Sequence, residues 1–373
     1  MRVGFLTYAL ERPLAGIGRY AVELARALAA LEDGPEIVLL TAGGPGPLAR
    51  LGLRQVSLPG CRLLPGLITL GNLLIPVLAR RLRLDIVHDT TGVTPLALGA
   101  GGARTAVTVH DVIPWSFPGV STALDTVIYR RWLPWVLPRV DSILTVSECS
   151  RADLTRYLHI PPDRIHNTSE GVADAYRPAT EPAIAPVRAR YGLFAPYILY
   201  VGSVEERKNL RGVLQAYARL RQRGLACSLV IVGAAKWKYD GIMRTLVDLQ
   251  LADEVVFTGY VPDDDLPVLY SGAAVFAFPS LYEGFGLPAL EAMACGTPVV
   301  AANTSSLPEV VGDAALTVDP TDVDALAEAL GRALADEALR QELRDKGLTR
   351  ARQFTWQRAA ERTVAVYRAL LNR

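Results

Sequence analysis

Two carboxylates lie on either side of a predicted turn from a strand into a helix. Glu283 and Glu291 enclose Gly-Phe-Gly-Leu-Pro-Ala-Leu, and residues 273–279 before them have the apolar character of a buried strand. Pro288 suits the first turn of a helix, because that position needs no N–H and the ring fixes φ at a helical value. Main-chain amides at this positive helix end could bind oxygen anions, while the carboxylates bind hydroxyl groups. These amides belong to Gly284, Phe285, Gly286 and Leu287. The alternative is a crossover turn with solvated glutamates.

A pair of cations follows another predicted strand, residues 197–202. Gly202 ends this strand and Ser203 opens the loop after it, and Arg207 and Lys208 lie just before the next predicted helix or within its first turn. Positive charge is unfavourable there because of the helix dipole, and a bound anion would offset that cost. An Arg fork and a Lys point charge together can neutralise a diphosphate. A solvated basic pair on the domain surface is the alternative.

A glycine motif near the start of the chain has the spacing of a dinucleotide-binding fingerprint. Gly16-Ile-Gly18-Arg-Tyr-Ala21 would then indicate an NAD-dependent oxidoreductase. Two features disfavour this interpretation: residues 9–15 separate the glycines from the preceding strand, and the next strand ends in Thr41 where a ribose-binding acid is expected. An NAD-dependent oxidoreductase is therefore kept only as the less favoured alternative.

His110 and Asp111 stand at the end of a third predicted strand, residues 104–110. A histidine at the carboxyl end of a parallel strand either bridges structural hydrogen bonds or contacts a ligand. Asp111 either orients the histidine or caps the turn. His88 and Asp89 close a neighbouring strand and could border the same site.

Asp263-Asp264-Asp265 contains the Asp-x-Asp pattern of some metal–diphosphate sites. Because a predicted helix follows directly, these acids fit N-capping better. Ser305 and Ser306 also precede a predicted helix, and either serine could cap it. No His and Asp partners for a nucleophilic serine are recognisable there. We therefore predict no metal site and no organic cofactor.

The composition is that of a globular protein with two domains. The chain has 373 residues, 50% hydrophobic and 21% charged, and it exceeds the usual size of one hydrophobic core. A net charge of +1 disfavours nucleic-acid binding. Four widely separated cysteines favour a reducing compartment over a disulfide framework or zinc site.

Two segments bear on the location of the protein. The first residues form a strand-like run without a signal-peptide pattern, which predicts the cytoplasm. Residues 63–82 are long and apolar, but Pro and Gly interrupt them and basic residues end them. This pattern favours a core helix over a membrane span, with a helix lying on a membrane surface as the alternative.

Short β-rich segments alternate with helical segments along the chain, as in parallel sheets covered by helices on both faces. Three prolines within residues 176–186 predict a linker, and one helix is predicted over 323–347. We therefore predict an α/β fold of two doubly wound, Rossmann-like domains, residues 1–178 and 179–354, followed by a terminal helix in 355–373. In such sheets ligands bind beyond the carboxyl ends of the strands, so the loops named above would line a cleft.

Four motifs together resemble those of the family-4 retaining glycosyltransferases, which have GT-B architecture. They are Glu283-x7-Glu291, Arg207-Lys208-Asn209, His110-Asp111 and Gly16-x-Gly18, in the order of that family. The resemblance extends over nearly the whole chain and is greatest to bacterial mannosyltransferases of surface polysaccharide synthesis. One departure is His166-Asn-Thr-Ser-Glu-Gly-Val172, where the family commonly has a compact Asn-Gly-Val.

The resemblance implies transfer of a hexose from a nucleotide-diphosphate sugar to a saccharide or lipid-linked acceptor, with retention at the anomeric carbon. It implies that Glu283 holds donor-sugar hydroxyls, that Glu291 binds the nucleotide ribose and that His110 contacts the donor sugar. Gly16 and Gly18 would belong to a loop that faces the donor phosphates, and the terminal helix would brace the first domain. The resemblance favours GDP-mannose as donor, with a UDP-hexose as the alternative.

Other functions fit the same fold. A nucleotide-sugar 2-epimerase would use two similar domains and release free or epimerised nucleotide sugar without an acceptor. A noncatalytic sugar-binding protein would leave the cations and paired carboxylates without a purpose. For the transferase we expect no nucleic-acid partner, and a lipid-linked acceptor would imply peripheral contact with the inner face of the membrane.

Overall fold

A computed structural model describes residues 1–8, 10, 16–117, 123–233 and 240–372. The chain divides into two compact units, each with its own parallel sheet. The first unit comprises Met1–Gly171 together with Thr355–Arg373, and the second comprises Val172–Phe354.

The second unit begins earlier in the chain than the boundary predicted after residue 178. The Val172 N–H donates to the Phe354 carbonyl over 3.1 Å. Tyr176 then packs edge-on against Tyr270, with ring centroids 6.1 Å apart. Because both partners lie in the second unit, the segment that carries Val172 and Tyr176 packs with that unit.

The first unit contains a sheet of seven described strands. Their bounds are β1 Arg2–Tyr8, β2 Glu36–Ala42, β3 Arg54–Ser57, β4 Ile86–Asp89, β5 Arg104–Thr108, β6 Ser142–Thr145 and β7 Ile165–Asn167. The order across the sheet is β3-β2-β1-β4-β5-β6-β7, and all neighbours are parallel. The interior residues of β1 are buried, as expected for a parallel strand covered on both faces. The strand predicted over residues 104–110 is β5, which ends earlier, at Thr108. β3 is a polar edge strand.

Helices of the first unit alternate with these strands. Their bounds are α1 Gly16–Ala30, α2 Leu64–Leu82, α3 Ile113–Ser116, α4 Ala123–Val127, α5 Leu133–Val136 and α6 Glu148–Leu158. α6 starts where the Ser147 hydroxyl accepts the Ser150 N–H over 3.0 Å, which satisfies an N–H that lacks a helical partner. Helix and strand side chains from Leu6 to Ile165 form one buried apolar core.

The long apolar segment before residue 83 is the helix α2, which continues through Pro76. Leu67, Ile75 and Ala79 bury one face in the core. Within the described part of the chain, no helix is long and apolar enough to cross a membrane.

The second unit contains a sheet of six described strands. They are β8 Tyr197–Val201, β9 Ser228–Val232, β10 Val255–Gly259, β11 Val275–Phe278, β12 Val299–Ala302 and β13 Leu316–Val318. The order is β10-β9-β8-β11-β12-β13, again parallel throughout. β8 and β11 are central neighbours, so the loops that follow them emerge side by side at the carboxyl edge. β8 and β11 correspond to the strands predicted over residues 197–202 and 273–279.

Helices also alternate with the strands of the second unit. Their bounds are α7 Glu181–Arg190, α8 Leu210–Gln222, α9 Asp240–Asp248, α10 Leu266–Gly272, α11 Leu287–Ala294, α12 Leu307–Val311, α13 Val323–Ala335 and α14 Glu337–Ala351. α7 shows that the predicted linker was wrong over its second half. Pro182 lies at the start of α7, where a missing N–H is tolerated, although Pro186 lies inside the helix.

The single helix predicted over residues 323–347 was also wrong, since the chain turns between α13 and α14 at Asp336. Asp336 has an extended backbone and its carboxylate accepts the Leu339 N–H over 3.0 Å. This carboxylate caps α14 and therefore favours a new helix over continuation of α13.

The last helix, α15 Trp356–Leu371, belongs to the first unit, where it packs on α1. The Thr355 hydroxyl caps it by accepting the Arg358 N–H over 3.2 Å. Trp356, Val364 and Tyr367 are buried, so the apolar face of α15 is a part of that unit's interior.

Candidate active site

Two cations and a carboxylate meet beyond the carboxyl ends of β8 and β11. Lys208 Nζ lies 2.6 Å from Glu283 Oε1, and Arg207 Nη1 lies 3.2 Å from Glu283 Oε2. All three side chains are largely buried. We call Arg207, Lys208 and Glu283 the cation–carboxylate cluster. The structure therefore brings together residues that the sequence separates by 75 positions.

Arg207 is held by acceptors on both sides of its guanidinium. Nη1 donates to the Tyr282 carbonyl over 2.6 Å, and Nη2 donates to Glu205 Oε1 over 2.8 Å. The Ser203 hydroxyl donates to the same Glu205 oxygen over 2.7 Å. The loop after β8 thus fixes the orientation of the Arg fork, which a Lys at this position would not reproduce.

The backbone before α8 places both cations outside that helix. Residues Glu206–Lys208 form a single 3-10 turn, and Asn209 follows with φ 54°. The Asn209 side chain caps α8 by accepting the Gly212 N–H over 3.2 Å. Arg207 and Lys208 therefore precede the helix, which is one of the two positions that the sequence left open.

Two serines that were expected to cap the next helix instead shape the loop that carries Glu283. Ser305 Oγ accepts the Glu283 N–H over 3.0 Å. Ser306 stands at the N-cap position of α12 without a capping bond from its side chain, and its hydroxyl contacts the Glu283 and Phe285 carbonyls at 2.9 and 2.6 Å. Both serines therefore position the Glu283 loop, a role that was not predicted from the sequence.

The electrostatics of the cluster favour an ionised Glu283. Burial alone would raise the pKa of this carboxyl, but Lys208 and Arg207 outweigh burial, so the pKa is lowered overall. Glu205 also pairs with Arg207, over 2.8 Å, so the two cations face two carboxylates and the four side chains together carry no net charge. A diphosphate could bind the Arg fork and the Lys ammonium in exchange for part of this pairing, while a carboxylate accepts hydroxyl groups.

α11 begins as predicted, with Pro288 in its first turn. Gly286 stands at its N-cap with φ 118°, a backbone conformation that favours glycine. Phe285 and Leu287 are buried, and the Phe285 ring lies edge-on to Phe354 at 5.8 Å. Their side chains therefore anchor the loop that includes Gly284.

Glu291 lies within α11 and is buried. Its Oε2 accepts the Tyr270 hydroxyl over 3.2 Å. Glu283 precedes the helix, so the two carboxylates stand on different parts of the same strand–loop–helix unit.

The loop after β8 is also packed closely against the loop after β9. The Gly202 N–H donates to the Val232 carbonyl over 2.9 Å. A Cβ at Gly233 would lie only 2.0 Å from the Gly202 carbonyl oxygen, and Gly233 has φ 148°. Glycine is therefore required at residue 233 for the two loops to approach.

In the first unit, His110 is a buried histidine just beyond β5. Its Nε2 lies 3.0 Å from the Thr90 carbonyl oxygen, and its ring packs edge-on against Tyr20 at a centroid distance of 4.6 Å. The Ser150 hydroxyl donates to the His110 carbonyl over 2.9 Å. Asp111 caps the following turn by accepting the Ile113 N–H over 3.0 Å.

His88 and Asp89 are fully buried, which corrects the expectation that they border a ligand. His88 contacts the Tyr367 and Thr108 hydroxyls at 2.6 and 2.8 Å. Asp89 accepts main-chain N–H groups of the following turn, including that of Thr94 over 2.6 Å. Both side chains are therefore structural.

Gly16 and Gly18 lie in the first turn of α1 rather than in a loop. A Cβ at Gly16 would meet no other atom within 4 Å. The residues before them, 9 and 11–15, are outside the described part of the chain. The structure places these glycines in the first unit and the cation–carboxylate cluster in the second.

Asp265 was expected to cap α10, but its carboxylate contacts other groups instead. It accepts two bonds from Arg190 Nη1, at 2.9 and 2.7 Å, and one from the Tyr191 hydroxyl at 2.8 Å. In the described ranges, no three His, Cys, Asp or Glu side chains are grouped in a way that could hold a metal ion.

Comparison with known proteins gives two family matches, one in each half of the chain. Residues 14–175 match the model of Glycosyltransferase Family 4, and residues 193–350 match Glycosyl transferases group 1. The O-antigen chain mannosyltransferase B of Escherichia coli is 37% identical over 396 aligned residues, which cover 99% of this chain and 100% of that protein. This chain belongs to the family-4 glycosyltransferases.

Further relatives agree with this assignment. A GDP-mannose-dependent alpha-(1-6)-phosphatidylinositol monomannoside mannosyltransferase of Mycolicibacterium smegmatis is 34% identical over 313 residues, 77% of this chain and 76% of that protein. The sucrose-phosphate synthase from Thermosynechococcus elongatus superposes with a TM-score of 0.80 at 24% identity, covering 100% of this chain and 99% of that one. The fold is therefore that of GT-B glycosyltransferases.

This family-4 glycosyltransferase is an enzyme that transfers a hexose. The motifs that carried the resemblance in the sequence lie within the two matched regions. The comparisons support neither the epimerase nor the NAD-dependent oxidoreductase.

Proposed function

We propose that this glycosyltransferase transfers mannose from GDP-mannose to a saccharide or lipid-linked acceptor, with retention at the anomeric carbon. The cation–carboxylate cluster carries the proposal, because it combines groups for a diphosphate with a group for hydroxyls at one place. The mannosyltransferase relatives, one of them GDP-mannose-dependent by name, support the choice of sugar and base.

Arg207 and Lys208 stabilise the leaving group in this proposal. The bond between the anomeric carbon and the diphosphate oxygen breaks, and its electron pair stays on GDP. The acceptor hydroxyl forms the new bond to that carbon and gives up its proton to the leaving diphosphate. Preorganised cations that take the developing phosphate charge lower the barrier without reorganisation. The fixed Arg207 fork and the nearby Lys208 ammonium supply such a pair.

Glu283 and Glu291 divide the remaining donor contacts between them. Glu283 accepts hydroxyls of the donor sugar and supports positive charge at the anomeric carbon. Glu291 binds the nucleotide ribose. From the first unit, His110 contacts the donor sugar, and Gly16 and Gly18 contribute through the start of α1. The amides before α11 and the loop at Gly202 and Ser203 complete the donor site.

Transfer proceeds without a divalent metal in this proposal, since protein cations neutralise the diphosphate. The direct test is transfer from GDP-mannose to an α-mannoside acceptor with magnesium or with EDTA. We expect equal rates, and an NMR spectrum of the product with the α-configuration of the donor. A requirement for metal would contradict the first point, and a β-product would contradict retention. A preference for UDP-glucose in the same assay would replace the proposed donor.

An anionic membrane surface is the partner we propose for α2, in line with a lipid-linked acceptor. Leu70, Leu73 and Val77 are exposed apolar residues at helical spacing on the face opposite the core. The exposed Arg80 and Arg81 follow in its last turn. Apolar side chains beside cations match the chemistry of an anionic lipid interface.

Vesicle sedimentation tests the membrane proposal with a matched pair of variants. Val77 on α2 and Val247 on α9 are 63% and 65% exposed. Val77→Glu should weaken binding to anionic vesicles several-fold, while Val247→Glu should not. Equal binding by both variants, or no binding by the wild type, would refute this partner.

A further inference from the structure

A second acidic side chain, Glu170, lies buried beside His110 in the first unit. Glu170 Oε1 is 3.7 Å from His110 Nδ1, and the two side chains are only 6% and 10% exposed. Glu170 stands in the segment where the sequence departs from the compact Asn-Gly-Val pattern. The residues that differ from the family pattern therefore include a carboxylate that lies against His110, the candidate catalytic histidine.

The local backbone fixes the position of Glu170. The Thr168 N–H donates to the Thr145 carbonyl over 2.9 Å and extends the pairing beyond β7. Ser169 then adopts φ 63°. After Glu170, a Cβ at Gly171 would lie 2.2 Å from the Trp356 nitrogen. Only glycine allows this approach to the start of α15, so the chain holds Glu170 between two tightly placed neighbours.

The other ring nitrogen of His110 determines where its proton lies. Nε2 is 3.0 Å from the Thr90 carbonyl oxygen, which can only accept a hydrogen bond. Nε2 therefore carries a proton in either charge state. In a neutral ring the Nδ1 lone pair would face the Glu170 carboxylate, and that contact becomes attractive only when Nδ1 is also protonated.

Charged and titratable groups surround the His110 ring from several elements. They are Glu170 after β7, Asp111 beside it, Asp89 and His88 of β4, and Tyr20 of α1. Burial disfavours the charged ring, but Glu170, Thr90 and Asp111 outweigh it, so the pKa of His110 is raised.

We propose that Glu170 is a positioning residue that holds His110 as an imidazolium. The Nδ1 proton then points to the Glu170 carboxylate, and Nε2 donates its proton to a hydrogen bond with the Thr90 carbonyl. The ring then cannot flip, and the carboxylate cancels the charge of the histidine next to the donor sugar. Only the kinetic consequence rests on the proposed function, since the proton itself can be observed without any substrate.

Ring proton NMR of the full-length protein tests the charge state directly. The chain has four histidines, and the His110 signal is assigned as the one lost in His110→Gln. We expect the titration midpoint of His110 to shift to lower pH in Glu170→Gln and to stay close to the wild-type value in Glu170→Asp. The matched control is Glu148→Gln, an exposed glutamate of α6. An unchanged midpoint in folded Glu170→Gln would overturn the proposal.

The pH profile of mannosyl transfer separates positioning from packing. We expect the loss of kcat/KM in Glu170→Gln to be smallest at the acid end of the profile and to grow to about tenfold on the alkaline side. A loss that is uniform across pH indicates packing alone and would reject the proposal, as would an unchanged profile. If the wild type transfers no sugar from any donor offered, the proposed function fails while the NMR result still decides the role of Glu170.

Discussion

The cation–carboxylate cluster shows at the residue scale why Arg207 and Lys208 are not interchangeable. Arg207 contacts the Tyr282 carbonyl, Glu205 and Glu283 through its two terminal nitrogens. Lys208 contributes one compact charge at 2.6 Å from Glu283. A buried charge that loses its partner is costly, so each member of the cluster depends on the others.

We predict that Arg207→Lys lowers kcat about 10²- to 10³-fold with a smaller change in KM, because the Lys cannot reproduce the oriented fork that takes phosphate charge. Steady-state kinetics with GDP-mannose measures this. The matched control is Arg190→Lys, an exposed arginine of the same unit that pairs with Asp265. An equal loss in both variants would argue against a role for Arg207 in the chemical step.

His88 gives a second prediction at the residue scale, on stability against pH. Burial, then the charge of His110, lowers the pKa of His88 to about 3 from its ordinary 6.5. The unfolded chain binds this proton near pH 6.5 and the folded chain does not. The contribution of His88 to the free energy of unfolding should therefore be complete above pH 6.5. Below that pH the free energy of unfolding should fall by about 1.4 kcal/mol per pH unit.

Urea unfolding between pH 7 and pH 4.5 measures this loss. Four of the five tryptophans, Trp115, Trp132, Trp135 and Trp356, lie in the first unit, so their fluorescence reports mainly on that unit. His88→Gln should be less stable at pH 7 but lose less as the pH falls, whereas the exposed His159→Asn should behave as the wild type. An equal fall in the free energy of unfolding with pH in all three proteins would show that His88 does not cause the loss of stability.

At the scale of elements, α15 is tied to the central sheet of the first unit through one polar contact. The Tyr367 hydroxyl lies 2.6 Å from His88 Nδ1 across 279 residues of sequence. His88 Nε2 lies 2.8 Å from the Thr108 hydroxyl, which also contacts the Tyr20 hydroxyl at 3.0 Å. This buried chain of bonds connects the terminal helix to the ring that packs against His110.

We predict that Tyr367→Phe lowers the free energy of unfolding by about 1–3 kcal/mol, since it leaves a buried His88 nitrogen without its partner. Urea unfolding followed by tryptophan fluorescence measures the change. Tyr260→Phe, at a position that is 66% exposed, should stay within about 0.5 kcal/mol of the wild type. A Tyr367→Phe protein as stable as that control would mean that α15 is held by its apolar face alone.

At the scale of the whole molecule, each unit has its own sheet and apolar core. The cation–carboxylate cluster belongs to the second unit and His110 to the first. Because the nucleotide and diphosphate contacts are proposed for the second unit, binding of GDP should protect mainly that unit from hydrogen exchange.

We predict that GDP at a hundred times its dissociation constant stabilises the protein by about 2.7 kcal/mol. Hydrogen exchange should show the protection in the loops after β8 and β11 and in α11. NAD should give no protection and serves as the control. Protection confined to residues 16–21, or produced by NAD rather than GDP, would count against the proposed donor site. Glu291→Gln should weaken the GDP effect while leaving the unliganded exchange pattern intact.

Much of the fold was predictable because parallel strands that are buried on both faces appear as apolar runs. β8 and β11 are such runs, and the turns after them carry Gly, Pro and charged residues whose roles are local. The polar edge strand β3 lacked that signal. The break at Asp336 was missed because the helical pattern looks continuous there, whereas capping by Asp336 starts a new helix. The helix that contains Pro186 was missed because its prolines appear to interrupt a helix, an effect that packing outweighed.

The sequence by itself determined the class of fold, the loops that carry the candidate chemistry and the family to which the chain belongs. These features depend on neighbouring residues, through strand apolarity, turn chemistry and short motifs. Only the tertiary structure decided that Ser305 and Ser306 hold the Glu283 loop, that His88 is buried against Tyr367 and that Glu170 faces His110. Such contacts join residues far apart in the chain, and their partners become known only once the sheets, helices and loops have packed.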